Sequence, residues 1–113
     1  MHEVSLTESI VEIVVEEAKR LGASRVTRVF VDVGVLSHVK QEALLFCFAA
    51  VSAGTLAEGA ELEITRIGGS GWCADCRKST PLTGRYDPCP ECGGYQVRVT
   101  GGDDFRLREI EIG

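Results

Sequence analysis

Apolar residues at Leu6, Ile10, Ile13, Val14, Ala18 and Leu21 recur at steps of three and four, with Glu12, Glu16, Lys19 and Arg20 between them. That spacing predicts one amphipathic helix over roughly residues 6–21. Ser5 followed by Glu8 fits a capping box, in which the hydroxyl accepts from an orphan amide and the carboxylate reaches back, so the helix is expected to start there. Gly22 supplies the terminating position. Over residues 25–35 the period changes to two. Val29, Val31, Val33 and Val35 fall on one face and Arg28, Phe30 and Asp32 on the other, the pattern of a half-buried strand. The apolar run around residues 43–50 then predicts a second helix from about 40 to 52. Cys47 lies within it and is expected to be a buried core thiol, because free cysteine behaves as a small hydrophobe.

Residues 61–67 alternate again, with Leu62 and Ile64 against Glu61, Glu63 and Thr65, and read as a second strand. Residues 105–112 read as a third, but Leu107 falls on the opposite face from Ile110 and Ile112. A bulge or burial on both faces is therefore required. A lone tail strand is unstable, so it is expected to pair with the N-terminal sheet. Gly68-Gly69-Ser70-Gly71 marks a hinge into a cysteine-bearing segment, and Gly101-Gly102-Asp103-Asp104 marks the way out. The expected fold is α+β: an N-terminal domain of two helices packed on a small sheet of about three strands, formed by residues 1–68 and 104–113. A zinc-ribbon-like module, residues 69–103, is inserted into it.

A chain of 113 residues has room for one ordinary domain and a small module, which excludes a large multi-site enzyme. No apolar run approaches the roughly 18 residues of a membrane span, and the first residues lack the basic-then-apolar layout of a secretory signal. The expected location is the cytoplasm, with no membrane contact. Seventeen acidic residues against twelve basic give a net charge of -5, which opposes nonspecific binding to nucleic acid.

Five cysteines in a reducing compartment point to metal rather than disulfides. Cys73-Ala-Asp-Cys76, twelve residues, then Cys89-Pro-Glu-Cys92 has the spacing of a four-thiolate site. Two residues between ligands let one tight turn aim both sulfurs at one ion, and two such turns complete the tetrahedral shell that zinc accepts. A redox dithiol would need only one pair. A closed four-cysteine shell leaves no position for water or substrate, so the expected zinc is structural. Residues 69–103 hold too few apolar side chains to fold without it. Between Gly69 and Gly101 four basic residues (Arg77, Lys78, Arg85, Arg98) face three acidic ones (Asp75, Asp87, Glu91), a balance that weakens the case for DNA or RNA.

The chain has two histidines, His2 and His38. The amine of Met1, the backbone nitrogen of His2 and its imidazole can form fused chelate rings around one ion, with Glu3 adding an amide nitrogen or a carboxylate. A planar nitrogen-rich set suits Ni(II) or Cu(II). The competing reading is a solvated terminal side chain. His38, after a strand and Ser37, reads as an ordinary loop or helix-start residue.

Met1-His2-Glu3 leading into a helix, Gly34-Val-Leu-Ser37, Phe46-Cys-Phe48, Gly54-Thr55 with Ala57-Glu-Gly-Ala60, both cysteine pairs and the closing Ile110-Glu-Ile112 together resemble the HypA/HybF hydrogenase nickel-incorporation family over essentially the whole chain. The resemblance implies a nickel metallochaperone, not an enzyme. It implies nickel binding by Met1, His2 and Glu3, and structural zinc binding by Cys73, Cys76, Cys89 and Cys92. The implied partners are a hydrogenase maturation GTPase that also carries nickel and the large-subunit precursor of a nickel-iron hydrogenase; urease as a second recipient and a homodimer are left open. Some relatives carry histidines beside the cysteine pairs. This chain has none between Trp72 and Gly113, so its zinc shell is expected to be thiolate only. The rival readings are a zinc ribbon that docks on protein or nucleic acid without a nickel role, and a thiol-disulfide oxidoreductase.

Overall fold

The computed structural model describes residues 3–113. Their elements run α1 (Glu3–Arg20), β1 (Val26–Gly34), α2 (Gln41–Ser52), β2 (Glu61–Ile67), β3 (Gly69–Cys73), β4 (Lys78–Leu82), β5 (Val97–Gly101) and β6 (Phe105–Ile112). The strands form two three-stranded sheets, ordered β2-β1-β6 and β4-β3-β5. The α+β architecture expected from the sequence is the one observed, with two helices, one three-stranded sheet that includes the tail strand, and a second three-stranded sheet in the segment that carries the two Cys-x-x-Cys pairs.

Two compact units emerge. The first contains the chain up to Val31, Val39–Thr65 and Leu107–Gly113; the second contains Asp32–His38 and Arg66–Arg106. These limits differ from the sequence boundaries chiefly at residues 32–38. Leu36 explains the difference: its N–H donates to Gly102 O at 2.7 Å and its carbonyl accepts from Arg85 at 3.2 Å.

In the first unit, α1 buries Thr7, Ile10, Val11, Val14 and Ala18, a stripe at helical spacing. Ile13 and Leu21 lie off that stripe and are half exposed, contrary to the sequence pattern, and Thr7 and Val11 take their places. Thr7 is accommodated because its hydroxyl donates back to Glu3 O and Val4 O, both at 2.9 Å. The helix is already formed at Glu3, so Ser5 sits in its first turn rather than at its cap. Helix α2 buries Leu44, Phe48 and Ser52 one turn apart. Cys47 lies one residue off that line and is half-buried, not a core thiol, while Leu45 and Phe46 face outward.

Strand β1 buries Val29, Val31 and Val33 and turns Arg28 outward, as its alternation predicts, while Val26 is buried against that period and Val35, past the strand's end, is half-buried. Arg28 faces Glu61 at 3.7 Å, and Val35 N–H donates to Ile67 O at 2.9 Å, so residue numbers rise together and β1 and β2 are parallel. Gly113 N–H donates to Arg25 O and Gly34 N–H to Asp104 O, so β6 runs antiparallel to β1. The tail strand does join the N-terminal sheet. Arg108 stacks over Phe30 and Glu111 reaches Arg28, and Leu107, Arg108, Glu109 and Ile110 line a hollow with Ile13 and Glu17. Between the Arg25–Gly113 and Gly34–Asp104 bonds both strands advance by the same number of residues, so β6 carries no net insertion, and Leu107 and Ile110, each half-buried, meet the conflicting alternation by burial on both faces.

In the second unit the glycine run is not a hinge. Gly69 to Cys73 is the central strand of the sheet, paired antiparallel with β4 from Gly69↔Leu82 to Cys73↔Lys78 and with β5 from Gly71↔Val99 to Cys73↔Val97. A Cβ on Gly71 would lie 2.7 Å from Val97 Cγ1 and 2.8 Å from Leu82 Cδ1, so both edge strands close over the space a side chain would fill. Pro81 sits in β4, an edge strand, where its missing N–H costs no ladder bond on the open side.

Candidate metal centre

Four cysteines of the second unit converge. Cys73 ends β3 and Cys76 follows in the turn toward β4, while Cys89 and Cys92 occupy the loop before β5. Their sulfur atoms all lie within 4.8 Å of one another. Four sulfurs held tetrahedrally at about 2.3 Å from one ion are separated by roughly 3.8 Å. Cys73 and Cys92 are 3.7 Å apart, and Cys76 and Cys89 are 3.9 Å apart. The donor set therefore fits one tetrahedral thiolate-bound ion.

The two turns are built alike. Arg77 N–H donates to Cys73 O and Gly93 N–H to Cys89 O, each at 2.8 Å, so each Cys-x-x-Cys closes on a backbone bond around its sulfurs. The residue after each second cysteine takes a left-handed conformation, with φ of 54° at Arg77 and 71° at Gly93. Glycine meets that requirement freely. At Arg77 it costs about 1–2 kcal/mol, which the closed turn must offset. Ala74 N–H to Gln96 O at 2.9 Å and Cys89 N–H to Gly94 O at 2.8 Å tie both turns to the segment leading into β5.

Burial and polarity differ among the ligands. Cys73 and Cys89 are buried, Cys76 is half-buried and Cys92 is exposed. The amides of Cys92 and Glu91 donate to the Cys89 sulfur and bring its thiol down to about 7. The hydrogen bond with Cys92, together with burial, pushes Cys76 up to about 12. Cys89 thus gives up its proton more readily than Cys76, and a cation binding all four sulfurs would displace the protons that remain.

Outside the sulfurs, Lys78 Nζ lies 2.8 and 2.9 Å from the two carboxylate oxygens of Glu91. The Glu91 carboxylate holds the Lys78 ammonium above its ordinary range, and the Cys76 and Cys89 sulfurs add to that effect. Four thiolates around a divalent ion carry a net -2, so Lys78 is a local counter-charge. The sequence reading did not single out this pair. Its signal was available: a basic residue two positions after the first cysteine pair, and an acidic one inside the second.

Among the other singled-out residues, Met1 and His2 lie outside the described residues. Glu3 is half-buried in the first turn of α1, and its Oε2 accepts from the Lys40 backbone N–H at 3.2 Å, at the start of α2. His38 is exposed, with a φ of 62°. Among the described residues no helix is long and apolar enough to cross a membrane.

With this geometry in hand, comparison with known proteins is informative. The sequence model of the family described as "Hydrogenase/urease nickel incorporation, metallochaperone, hypA" matches residues 1–112. The hydrogenase maturation factor HypA of Rhizobium leguminosarum bv. viciae is 53% identical over 112 residues, covering 99% of both chains. HypA 2 of Bradyrhizobium diazoefficiens is 52% identical with the same coverage. Among solved structures, the solution structure of the Ni metallochaperone HypA from Helicobacter pylori aligns with a TM-score of 0.69 at 26% identity, over 99% of this chain and 97% of that one. A second structure, titled "Solution structure of HypA protein", aligns with a TM-score of 0.73 at 28% identity, over 99% and 96%.

Proposed function

The chain belongs to the HypA family of hydrogenase/urease nickel-incorporation metallochaperones, and from that membership we propose that it binds Ni(II) at its N-terminus and delivers the ion during maturation of a nickel-iron hydrogenase. The observation that carries this reading is the full-length family match on a chain that opens Met1-His2-Glu3. The Met1 amine, the His2 backbone nitrogen and the His2 imidazole supply fused chelate rings, and such nitrogen-rich sets favour Ni(II). Glu3 supplies its backbone nitrogen. That N–H belongs to the first helical turn, where amides have no intrahelical acceptor, while the Glu3 carboxylate is held by Lys40. A terminal site with few walls exchanges ligands stepwise with an acceptor, as a carrier must.

Cys73, Cys76, Cys89 and Cys92 hold zinc in this reading, because a closed thiolate tetrahedron suits that ion and fixes the module without catalysis. The protein is then a carrier rather than an enzyme, acting in the cytoplasm, where thiols stay reduced. Its partners are a nickel-carrying GTPase and the hydrogenase large-subunit precursor, with residues 1–68 and 104–113 as the nickel-binding domain and 69–103 as the structural zinc domain.

Calorimetric nickel titration of the untagged protein tests the reading. The native chain should take up one nickel, less tightly as the solution is acidified, because the amine and imidazole must lose protons to coordinate. His2→Ala, or one residue added before Met1, should abolish stoichiometric uptake with zinc content unchanged. One nickel bound by His2→Ala at native affinity would sink the proposal.

A further inference from the structure

Within the first unit, α1 and α2 leave a groove of about 440 Å³ between them. Val11, Val15 and Val51 give it an apolar floor, and Glu8, Glu12 and Glu16 form one wall. The three carboxylates stand four residues apart, about 6 Å per step along one ridge of α1. Lys19 closes the end of the groove.

Several carboxylates elsewhere are paired, Glu17 with Arg20, Glu61 and Glu111 with Arg28, and Glu91 with Lys78, while among the described residues Glu42, Glu63 and Asp103 stand singly. Among the described residues Glu8, Glu12 and Glu16 take part in no ion pair or side-chain hydrogen bond. Like charges four residues apart weaken a helix rather than support it. An acidic ridge beside an apolar floor therefore has the charge and shape that complement a cationic amphipathic surface. Phosphate-bearing nucleic acid and anionic lipid would both be repelled.

We propose that this groove docks a basic amphipathic helix of a partner protein. The helix presents Lys or Arg at every fourth position to Glu8, Glu12 and Glu16, and lays an apolar seam over Val11, Val15 and Val51, making a third helix beside the existing two. The docking is independent of where nickel binds.

The test uses the full, metal-loaded chain and an 18-residue capped peptide of Leu and Lys at helical spacing, with a Leu and Glu peptide of the same spacing as control. Binding is followed by nuclear magnetic resonance and by fluorescence anisotropy at several salt concentrations. The expected result is saturable one-to-one binding of the Lys peptide, with amide shifts confined to the groove. The Glu peptide should not bind. Glu8→Gln/Glu12→Gln/Glu16→Gln, three exposed changes, should weaken binding about tenfold at low salt and remove most of its salt dependence. Glu42→Gln/Glu63→Gln/Asp103→Asn makes the same change in net charge elsewhere and should leave the affinity intact. Absence of saturable binding, equal weakening by both triple variants, or shifts mapping outside the groove would overturn the proposal. So would concentration-dependent dimerisation of the chain, seen by sedimentation and lost in the first triple variant, which would assign the groove to a second copy.

Discussion

The two units of the chain hold themselves together in different ways. The helical unit excludes water from a continuous aliphatic interior, in which Val14, Ala18, Val29 and Val31 are fully buried and Leu44 nearly so. The cysteine unit buries few large apolar side chains: Val33, Leu36 and Leu82, beside Thr80, Cys73 and Cys89. Its two tyrosines do not help, since Tyr86 and Tyr95 are 84% and 73% exposed. In one unit side-chain volume sets the stability; in the other, on the reading proposed above, coordination by the four cysteines would. A perturbation aimed at either mechanism should therefore leave the other unit standing.

The largest effect should come from removing the metal. Coordination by four cysteines contributes on the order of 10 kcal/mol to a small domain of this kind, more than the aliphatic contacts of Leu36 and Leu82 can replace. A strong chelator, or Cys73→Ser, should abolish protection from hydrogen exchange in β3, β4 and β5. The buried amides of α1 and β1 up to Val31 should stay protected. If both units lost protection together, the division into separately held parts would be wrong.

The converse experiment is smaller in size. Leu44 is 1% exposed on the buried line of α2. Leu44→Ala should cost about 2–5 kcal/mol, the range for truncating a buried leucine. Denaturant unfolding monitored on the helices should shift accordingly, with one metal per chain retained. Loss of the metal at the same denaturant concentration would show that the cysteine unit depends on the aliphatic one.

The same contrast decides what was legible in the sequence. Val29, Val31 and Val33 announce a strand because β-branched residues alternate with polar ones, and burial follows the pattern directly. The tail strand was legible through its conflict, since Leu107 and Ile110, three residues apart, fall on opposite faces and both are half-buried. In α1 the pattern misled where apolar residues outnumber the buried positions. Ile13 and Leu21 fit the period, yet Thr7 lies in the core because it can satisfy its own hydroxyl on the preceding turn. The cysteine quartet was legible from spacing alone, because ligand geometry is local. Strand β3 was not: Gly-Ser-Gly-Trp-Cys carries no alternation, and its glycines look like a hinge until Leu82 and Val97 are seen closing over Gly71. The Lys78 and Glu91 pair was hidden because thirteen residues separate its members and only the folded turns bring them together.

That pair provides the smallest and most selective test of the comparison. Lys78 and Glu91 join the two cysteine turns outside the sulfurs, and their side chains are 55% and 52% exposed. Exposed pairs contribute at most about 1 kcal/mol, so Lys78→Met should leave the sheet intact and loosen metal retention by only a few-fold in a chelator competition. Two causes could produce that loss, and they separate by salt and by partner. If Lys78 acts by holding Glu91, then Glu91→Gln should weaken retention equally. If it acts as a counter-charge to the thiolates, Glu91→Gln should leave retention unchanged or raise it, because the ammonium is freed to face the sulfurs, and added salt should diminish the effect of Lys78→Met. Neither variant should alter the unfolding of the helical unit, whose stability rests on buried volume rather than on charge.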